Sequence, residues 1–115
     1  MATTYKILGQ GVPTTTTSTA LYTVPSTTTQ TVVSSVTVAN TTASAAAAYL
    51  YVVKGGSTAA TTNAVVYGAS IPANSTASFT LGITLSNTAS VVDFIQCGSG
   101  TSGSLTFQAF GSEIA

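Results

Sequence analysis

The strongest constraint on the fold is a strict alternation of side-chain character over residues 77–85. Every odd position there is apolar, and every even position is polar or glycine. Because successive side chains of a β-strand point to opposite faces, this pattern predicts a strand with one buried face. Residues 31–38 are rich in β-branched side chains and predict a second such strand, with Val32, Val36 and Val38 on one face. Strands of this kind must bury their apolar faces against another layer.

A third alternating segment covers residues 105–110. Its odd positions form one apolar face, and its even positions, which include Phe110, form the other. We therefore expect Phe110 to face a partner or to lie at the edge of the fold.

Five shorter segments also read as strands, because each is rich in β-formers and ends at Gly, Pro or a Ser/Thr cluster. They cover residues 5–8, 21–24, 48–53, 65–67 and 91–97. Residues 45–53 contain four alanines, which favour a helix as the alternative. The run is short and uncapped, however, and ends in aromatic and β-branched residues, so residues 48–53 are predicted to form a strand buried on both faces.

Eight strands in 115 residues predict one all-β domain, residues 1–115, folded as a two-sheet antiparallel β-sandwich of jelly-roll or immunoglobulin-like type. Pro25, Pro72 and the glycine-rich residues 98–103 interrupt the pattern as turns. Residues 1–19 are interpreted as an N-terminal docking segment and linker. The strand over residues 5–8 either pairs with the sandwich or reaches a neighbouring molecule. Residues 14–19 form the polar linker.

Charge is almost absent from the sequence. The charged side chains are Lys6, Lys54, Asp93 and Glu113, with no Arg or His and a net charge of zero. Nucleic acids and anionic membranes are bound mainly through clusters of Lys and Arg, so neither is expected as a partner. With 24 Thr and 15 Ser, the surface is made of uncharged hydroxyls, and little repulsion keeps two copies apart. We therefore expect a homo-oligomer, with a trimer as one candidate.

The inventory of reactive groups is too small for catalysis, so we expect no enzyme, no catalytic residue, no metal and no cofactor. Without His, a serine triad is excluded, and Cys97 is expected to be a small buried hydrophobe. Asp93 interrupts an apolar segment. It is either a buried acid with a raised pKa or a carboxylate that faces solvent or pairs with a backbone amide near a sheet edge.

Tyrosines suggest one further kind of site. Tyr49 and Tyr51 share a face of their predicted strand, and Tyr67 is expected close by. Paired aromatic rings form either a platform for a sugar or part of a subunit interface. The N-terminus carries no recognisable secretory signal, and no segment is apolar enough to span a membrane, so synthesis in a cytoplasm is expected.

The order of several short blocks resembles that of small virion structural proteins of tailed bacteriophages, including phages of cyanobacteria. The blocks that carry the resemblance are Tyr5-Lys-Ile-Leu-Gly-Gln10, Leu21-Tyr-Thr-Val-Pro25, Val32-Val-Ser-Ser-Val-Thr-Val-Ala-Asn40, Ile71-Pro-Ala-Asn74, Leu81-Gly-Ile-Thr-Leu85 and Phe110-Gly-Ser-Glu-Ile114. The chain departs from many such proteins at residues 45–48 and 57–62, where they carry Arg and Asp. The resemblance therefore does not define the docking surface.

The resemblance implies a β-sandwich opened by the first block and closed by the last, with no catalytic residue. It implies a capsid decoration or cement protein that bridges major capsid protein subunits on the outer surface of the phage particle. Within this hypothesis we predict Tyr5, Ile7 and Leu8 as a docking segment and Phe110 and Ile114 as interface residues. The alternative is a tail-fibre or baseplate module that binds a host-surface glycan.

Overall fold

The computed structural model describes residues 2–17, 19–27 and 29–115, and the regular secondary structure of this part is almost entirely β-strand. Every predicted strand coincides with an observed one, which confirms the all-β class. The helix alternative for residues 45–53 is wrong, because the segment pairs with strands on both sides. The elements of the described part are β1 Thr3–Gly11, β2 Thr19–Thr23, β3 Gln30–Asn40, β4 Ala46–Val53, the short 3₁₀ helix η1 Thr61–Asn63, β5 Ala64–Ile71, β6 Thr76–Ser86, β7 Phe94–Ser99 and β8 Leu105–Ile114.

The strands form two antiparallel sheets of four. Sheet A has the order β1-β8-β3-β6, and sheet B has the order β2-β7-β4-β5. Strand pairing is nested: the first strand pairs with the last, β2 with β7, β3 with β6, and β4 with β5. This wrapping is that of a jelly roll. An immunoglobulin-like arrangement would place β1 beside β2 in one sheet, whereas here they lie in opposite sheets.

The core lies between the two sheets and follows the predicted alternation. Ile83 and Leu85 of β6 are buried, and the other odd positions of residues 77–85 pack against the core. Leu105, Phe107 and Ala109, the odd positions in the first half of β8, are buried as well. The largest fully buried core side chains are Phe107, Leu50, Ile71, Ile95, Leu105, Val24, Val33, Val36 and Val38.

The predicted inner face of β3 is wrong at its start. The register between β3 and β8 shifts at Ser34, which is an extra residue relative to β8. Such a β-bulge reverses the side on which the preceding side chains lie. Val33 is therefore fully buried together with Val36 and Val38, while Val32 is only partly buried and lies on the outer face.

The predicted strand over residues 91–97 begins later than expected, at Phe94. Before it, the Asp93 carboxylate accepts hydrogen bonds from the backbone N–H groups of Gly55 (3.2 Å) and Ser86 (3.1 Å). These bonds tie the loop after β4 and the end of β6 to the start of β7. The expected pairing of Asp93 with backbone amides is confirmed, although the strand that it precedes is an inner strand of sheet B and not an edge strand.

Residues 15–17, between β1 and β2, lie against β7. Ser99 N–H donates to the carbonyl of Thr15 (2.9 Å), and the side-chain amide of Gln96 donates to the carbonyl of Thr17. A methyl group on Gly98 would overlap the carbonyl oxygen of Thr16. Of the predicted linker over residues 14–19, Ser18 lies outside the described residues, as does Met1 of the N-terminal segment.

We expect Gly98→Ala to lower the free energy of unfolding by about 1–3 kcal/mol, because the added methyl group must displace the backbone at Thr16. Gly82→Ala is the matched control: Gly82 also lies in a strand, but a methyl group there meets no atom within 4 Å. It should leave stability unchanged or raise it by up to ~1 kcal/mol. Urea unfolding of both variants measures this. Equal stability of Gly98→Ala and the wild type would contradict the packing of this segment on β7.

Candidate interaction surface

The pairing of β1 with β8 brings predicted interface residues from opposite ends of the chain onto one surface. Ile7 lies directly opposite Phe110. On the same face, Tyr5 follows two positions farther along β1, opposite Ser112, and Ile114 follows four positions farther along β8. That face is the outer one, because the odd positions of β8 point into the core. Tyr5 is 83% exposed and Ile7 is 55% exposed.

Val32 of β3 extends this surface. It lies opposite Ser112, which separates it from Tyr5 across the sheet. We define the outer-face patch as Tyr5, Ile7, Val32, Phe110 and Ile114. Val32 was missed by sequence reasoning because no sequence signal marked the bulge at Ser34.

Next to the patch, the end of sheet A carries a surface cavity of about 270 Å³. Its walls are uncharged, so a group that enters it meets only apolar and hydroxyl or amide surface. The lining residues are Gln30, Thr31, Val32, Thr84, Leu85, Ser86 and Ile114.

Leu8 differs from the other predicted docking residues. It is the extra residue of a bulge in β1, between Ile7 and Gly9, and its side chain packs against the core. Leu8 therefore anchors β1 to the sandwich and does not belong to the outer-face patch.

A polar network beneath the patch fixes the strands that carry it. Lys6 Nζ lies 2.7 Å from Glu113 Oε1, and the Tyr22 hydroxyl donates to Glu113 Oε2 (2.5 Å). Tyr22 also shares a hydrogen bond with the buried hydroxyl of Thr31 (2.7 Å). The network thus joins β1, β2, β3 and β8. These residues are far apart in sequence and form no motif, so sequence reasoning did not find them.

The network shifts the ionisation of its members. Hydrogen bonds from Lys6 and Tyr22 lower the pKa of the Glu113 carboxyl, because they stabilise its charged form. Burial raises the pKa of the Tyr22 hydroxyl, and the adjacent Glu113 adds to this effect. Near neutral pH, Tyr22 is therefore a neutral donor to a charged acceptor.

The tyrosines of sheet B form a second surface. Tyr49 lies opposite Tyr67 in the register, and their rings meet edge to face with centroids 5.0 Å apart. Tyr67 is 62% exposed, whereas Tyr51 is only 2% exposed. Tyr51 is thus already covered by its own chain, which raises its pKa and leaves no surface for a partner. We remove Tyr51 from the candidate interface and retain Tyr49 beside the exposed Tyr67.

The described residues offer little reactive chemistry. Cys97 is fully buried, and burial raises the pKa of its thiol to about 12, so the nucleophilic thiolate does not form near neutral pH. Asp93 precedes a strand of sheet B while Glu113 lies in sheet A, and each binds different groups. Among residues 2–17, 19–27 and 29–115, no three His, Cys, Asp or Glu side chains are placed to hold a metal ion. No helix in this part is long and apolar enough to cross a membrane.

No family model matches the sequence, and no curated protein is similar to it. A solved structure shares the fold. A chain in the 2.6 Å structure of infectious bursal virus derived T=1 particles matches 97% of this chain and 30% of its own length, with a TM-score of 0.51 and 14% identity. A chain of the infectious bursal disease virus Gx strain matches with a TM-score of 0.47, 12% identity, and coverage of 97% and 31%. This chain therefore spans less than a third of the length of these structures.

We expect the polar network to make the free energy of unfolding fall as the pH is lowered into the acidic range. A carboxylate with a lowered pKa stabilises the fold fully above the ordinary glutamate pKa of ~4.3, and this contribution is lost as the pH falls towards its lowered pKa in the fold. Glu113→Gln should lower the free energy of unfolding at pH 7 by about 1–3 kcal/mol. In this variant the free energy of unfolding should also decrease less steeply below pH 5 than in the wild type. Urea unfolding between pH 3 and pH 7 measures both effects.

Lys54→Met is the control for this experiment, because it also removes one charge but lies outside the network. It should retain the acid dependence of the wild type, whereas Lys6→Met should weaken that dependence. An unchanged slope below pH 5 in Glu113→Gln would contradict the assigned role of the carboxylate.

Proposed function

We propose that this chain is a structural subunit of a virus particle that binds neighbouring subunits through the outer-face patch. The observation that carries the proposal is the patch itself. Two strands from opposite ends of the chain expose large apolar side chains on one face of a rigid sheet, with Tyr5 83% and Ile7 55% exposed. Contiguous exposed apolar surface on a small domain marks a site of association.

The surroundings of the patch suit a protein interface. The cores of such interfaces are depleted of charge and enriched in aromatic residues, with a polar rim. Tyr5 and Phe110 supply the aromatic rings, and Ser112 lies among them in the register. The nearest charged groups, Lys6 and Glu113, neutralise each other, so burial of the patch does not strand a charge.

The shared fold supports an assembly role. The T=1 particles of infectious bursal virus contain a protein that shares this fold, and the match covers 97% of the residues of the present chain. Jelly rolls also serve in lectins and other proteins, so the fold narrows the function without defining it.

Within this role we propose a decoration or cement protein on the outside of a bacteriophage head, where it bridges major capsid protein subunits and copies of itself. This finer proposal rests on the resemblance to phage virion proteins. The mechanism is burial of apolar surface: a standard interface of about 1,600 Å² across adjacent subunits opposes their separation without any chemistry.

One observation favours a second candidate, glycan binding by a tail-fibre or baseplate module. Tyr67 exposes most of its ring while Tyr49 fixes its orientation by an edge contact. Copy number distinguishes the two functions: hundreds of copies per virion on a stained gel indicate the capsid, and a few dozen or fewer indicate the tail.

We expect Phe110→Lys and Ile114→Lys to weaken binding to virus particles assembled without this protein by about tenfold or more, because each places an unpaired charge in the patch. Thr80→Lys is the matched control, since Thr80 is exposed on β6 of the same sheet. Co-sedimentation of each variant with the particles measures binding, and urea unfolding checks that the variants are folded. Wild-type binding by both folded patch variants would contradict the proposal.

The cement role is tested with the particles themselves. Particles that lack the protein should break at lower temperature or milder osmotic shock than particles to which the wild-type protein has been added back. Equal survival of the two kinds of particle would remove the cement role.

A further inference from the structure

Strand β1 leaves one backbone edge of sheet A open. Within the part of the chain that the structure describes, β1 is hydrogen-bonded to β8 and has no strand on its other side. Over Thr3–Ile7 the register with β8 is unbroken. An edge of this kind presents a row of N–H and C=O groups that another extended strand can pair with.

The other three edges of the sandwich are less suited to strand addition. Strand β2 has five residues, and Pro25 follows it closely. Strand β5 contains two register breaks. Strand β6 keeps an unbroken register over Thr76–Thr80, as long as that of β1, but its exposed side chains there are Thr76, Ser78 and Thr80, which offer an added strand no apolar surface to cover. Bulges and short length are the usual means by which proteins block edge pairing.

Strand β1 also lacks an effective guarding charge. A lysine on an edge strand normally opposes pairing, but Lys6 Nζ lies 2.7 Å from Glu113 of its own chain and is neutralised there. Its neighbours Tyr5 and Ile7 are the exposed apolar residues of this edge, at 83% and 55%. Addition of a strand would cover part of both side chains.

We propose that two copies of this chain pair through β1, antiparallel about a two-fold axis at Tyr5, so that their A sheets form one eight-stranded sheet. Tyr5 lies opposite Tyr5 of the second copy, and Thr3 lies opposite Ile7. The axis is perpendicular to the sheet, so both outer-face patches lie on the same side and become continuous. Only the use of this double patch in a particle rests on the function proposed above.

A second copy is the occupant that fits this edge. Tyr5 is the midpoint of the unbroken stretch Thr3–Ile7, so antiparallel pairing about it is self-complementary and satisfies the same groups in both copies. The chain has zero net charge, so no long-range repulsion opposes the approach of two copies.

Disulfide trapping tests the register. Tyr5→Cys places two thiols opposite each other and should give a covalent dimer on a non-reducing gel after mild oxidation. Ile7→Cys is the matched control: the two introduced residues would be about 14 Å apart along the strands, beyond the reach of a disulfide. The native Cys97 is fully buried and does not compete. Cross-linking of Ile7→Cys as complete as that of Tyr5→Cys would overturn the register.

Sedimentation equilibrium of the isolated chain tests the interface. The wild type should be a dimer, and Tyr5→Lys or Ile7→Lys should raise the dimer Kd by about tenfold or more, because a charge then guards the edge. Thr80→Lys, on the opposite edge of sheet A, should leave the dimer Kd unchanged. A wild-type monomer at high concentration, a trimer, or a dimer indifferent to both β1 substitutions would overturn the proposal.

The two proposals fail separately. A chain that is monomeric in solution but binds particles overturns β1 pairing and leaves the virion role intact. A dimer that does not bind particles supports β1 pairing and removes the virion role.

Discussion

The antiparallel pairing of β1 with β8 is the interaction on which the rest of the structure depends. It continues to the ends of the described chain, where Ala2 and Ala115 exchange two backbone hydrogen bonds of 2.7 and 2.9 Å. The pair β1–β8 encloses the other three strand pairs in sequence. These pairs alternate between the sheets: β2–β7 lies in sheet B, β3–β6 in sheet A and β4–β5 in sheet B. The same pairing brings Ile7 beside Phe110 and Lys6 within reach of Glu113. The candidate surface and the network beneath it are thus consequences of one strand pair.

Bulges then decide which side chains of these strands face the core. Strand β8 alternates without interruption, so Phe110 is outside while Glu113 is inside. Strand β1 must direct Lys6 towards Glu113 and also present Gly9 to the core, where a methyl group would overlap the carbonyl of Leu21. Positions three apart cannot share a face of a regular strand. The extra residue Leu8 resolves the conflict.

The sequence predicted what local periodicity can encode and missed what depends on pairing. Alternation identified the strands and the inner face of β6, because burial of one face acts on each strand separately. It could not choose between a jelly roll and an immunoglobulin-like sandwich, since a period of two does not reveal a strand's neighbour. Val32 was misplaced because one bulge residue reverses the faces. Tyr5, Ile7, Phe110 and Ile114 were each predicted, but their convergence on one face follows from the register.

The distribution of the few charges and of the exposed apolar groups bears on a bridging role. Lys6 and Glu113 form an ion pair, and Asp93 accepts backbone hydrogen bonds of its own chain. The exposed apolar side chains are therefore surrounded by hydroxyl groups and not by free charges. The outer-face patch lies near the β1 side of sheet A, whereas Tyr67 lies on β5, the edge of sheet B. Strand β1 contacts β2, so β5 and β6 lie on the opposite side of the sandwich. A capping protein needs one adhesive surface, but a protein that joins two neighbours needs two on opposite sides. The proposed bridging role would find that placement in the outer-face patch and the surface around Tyr67.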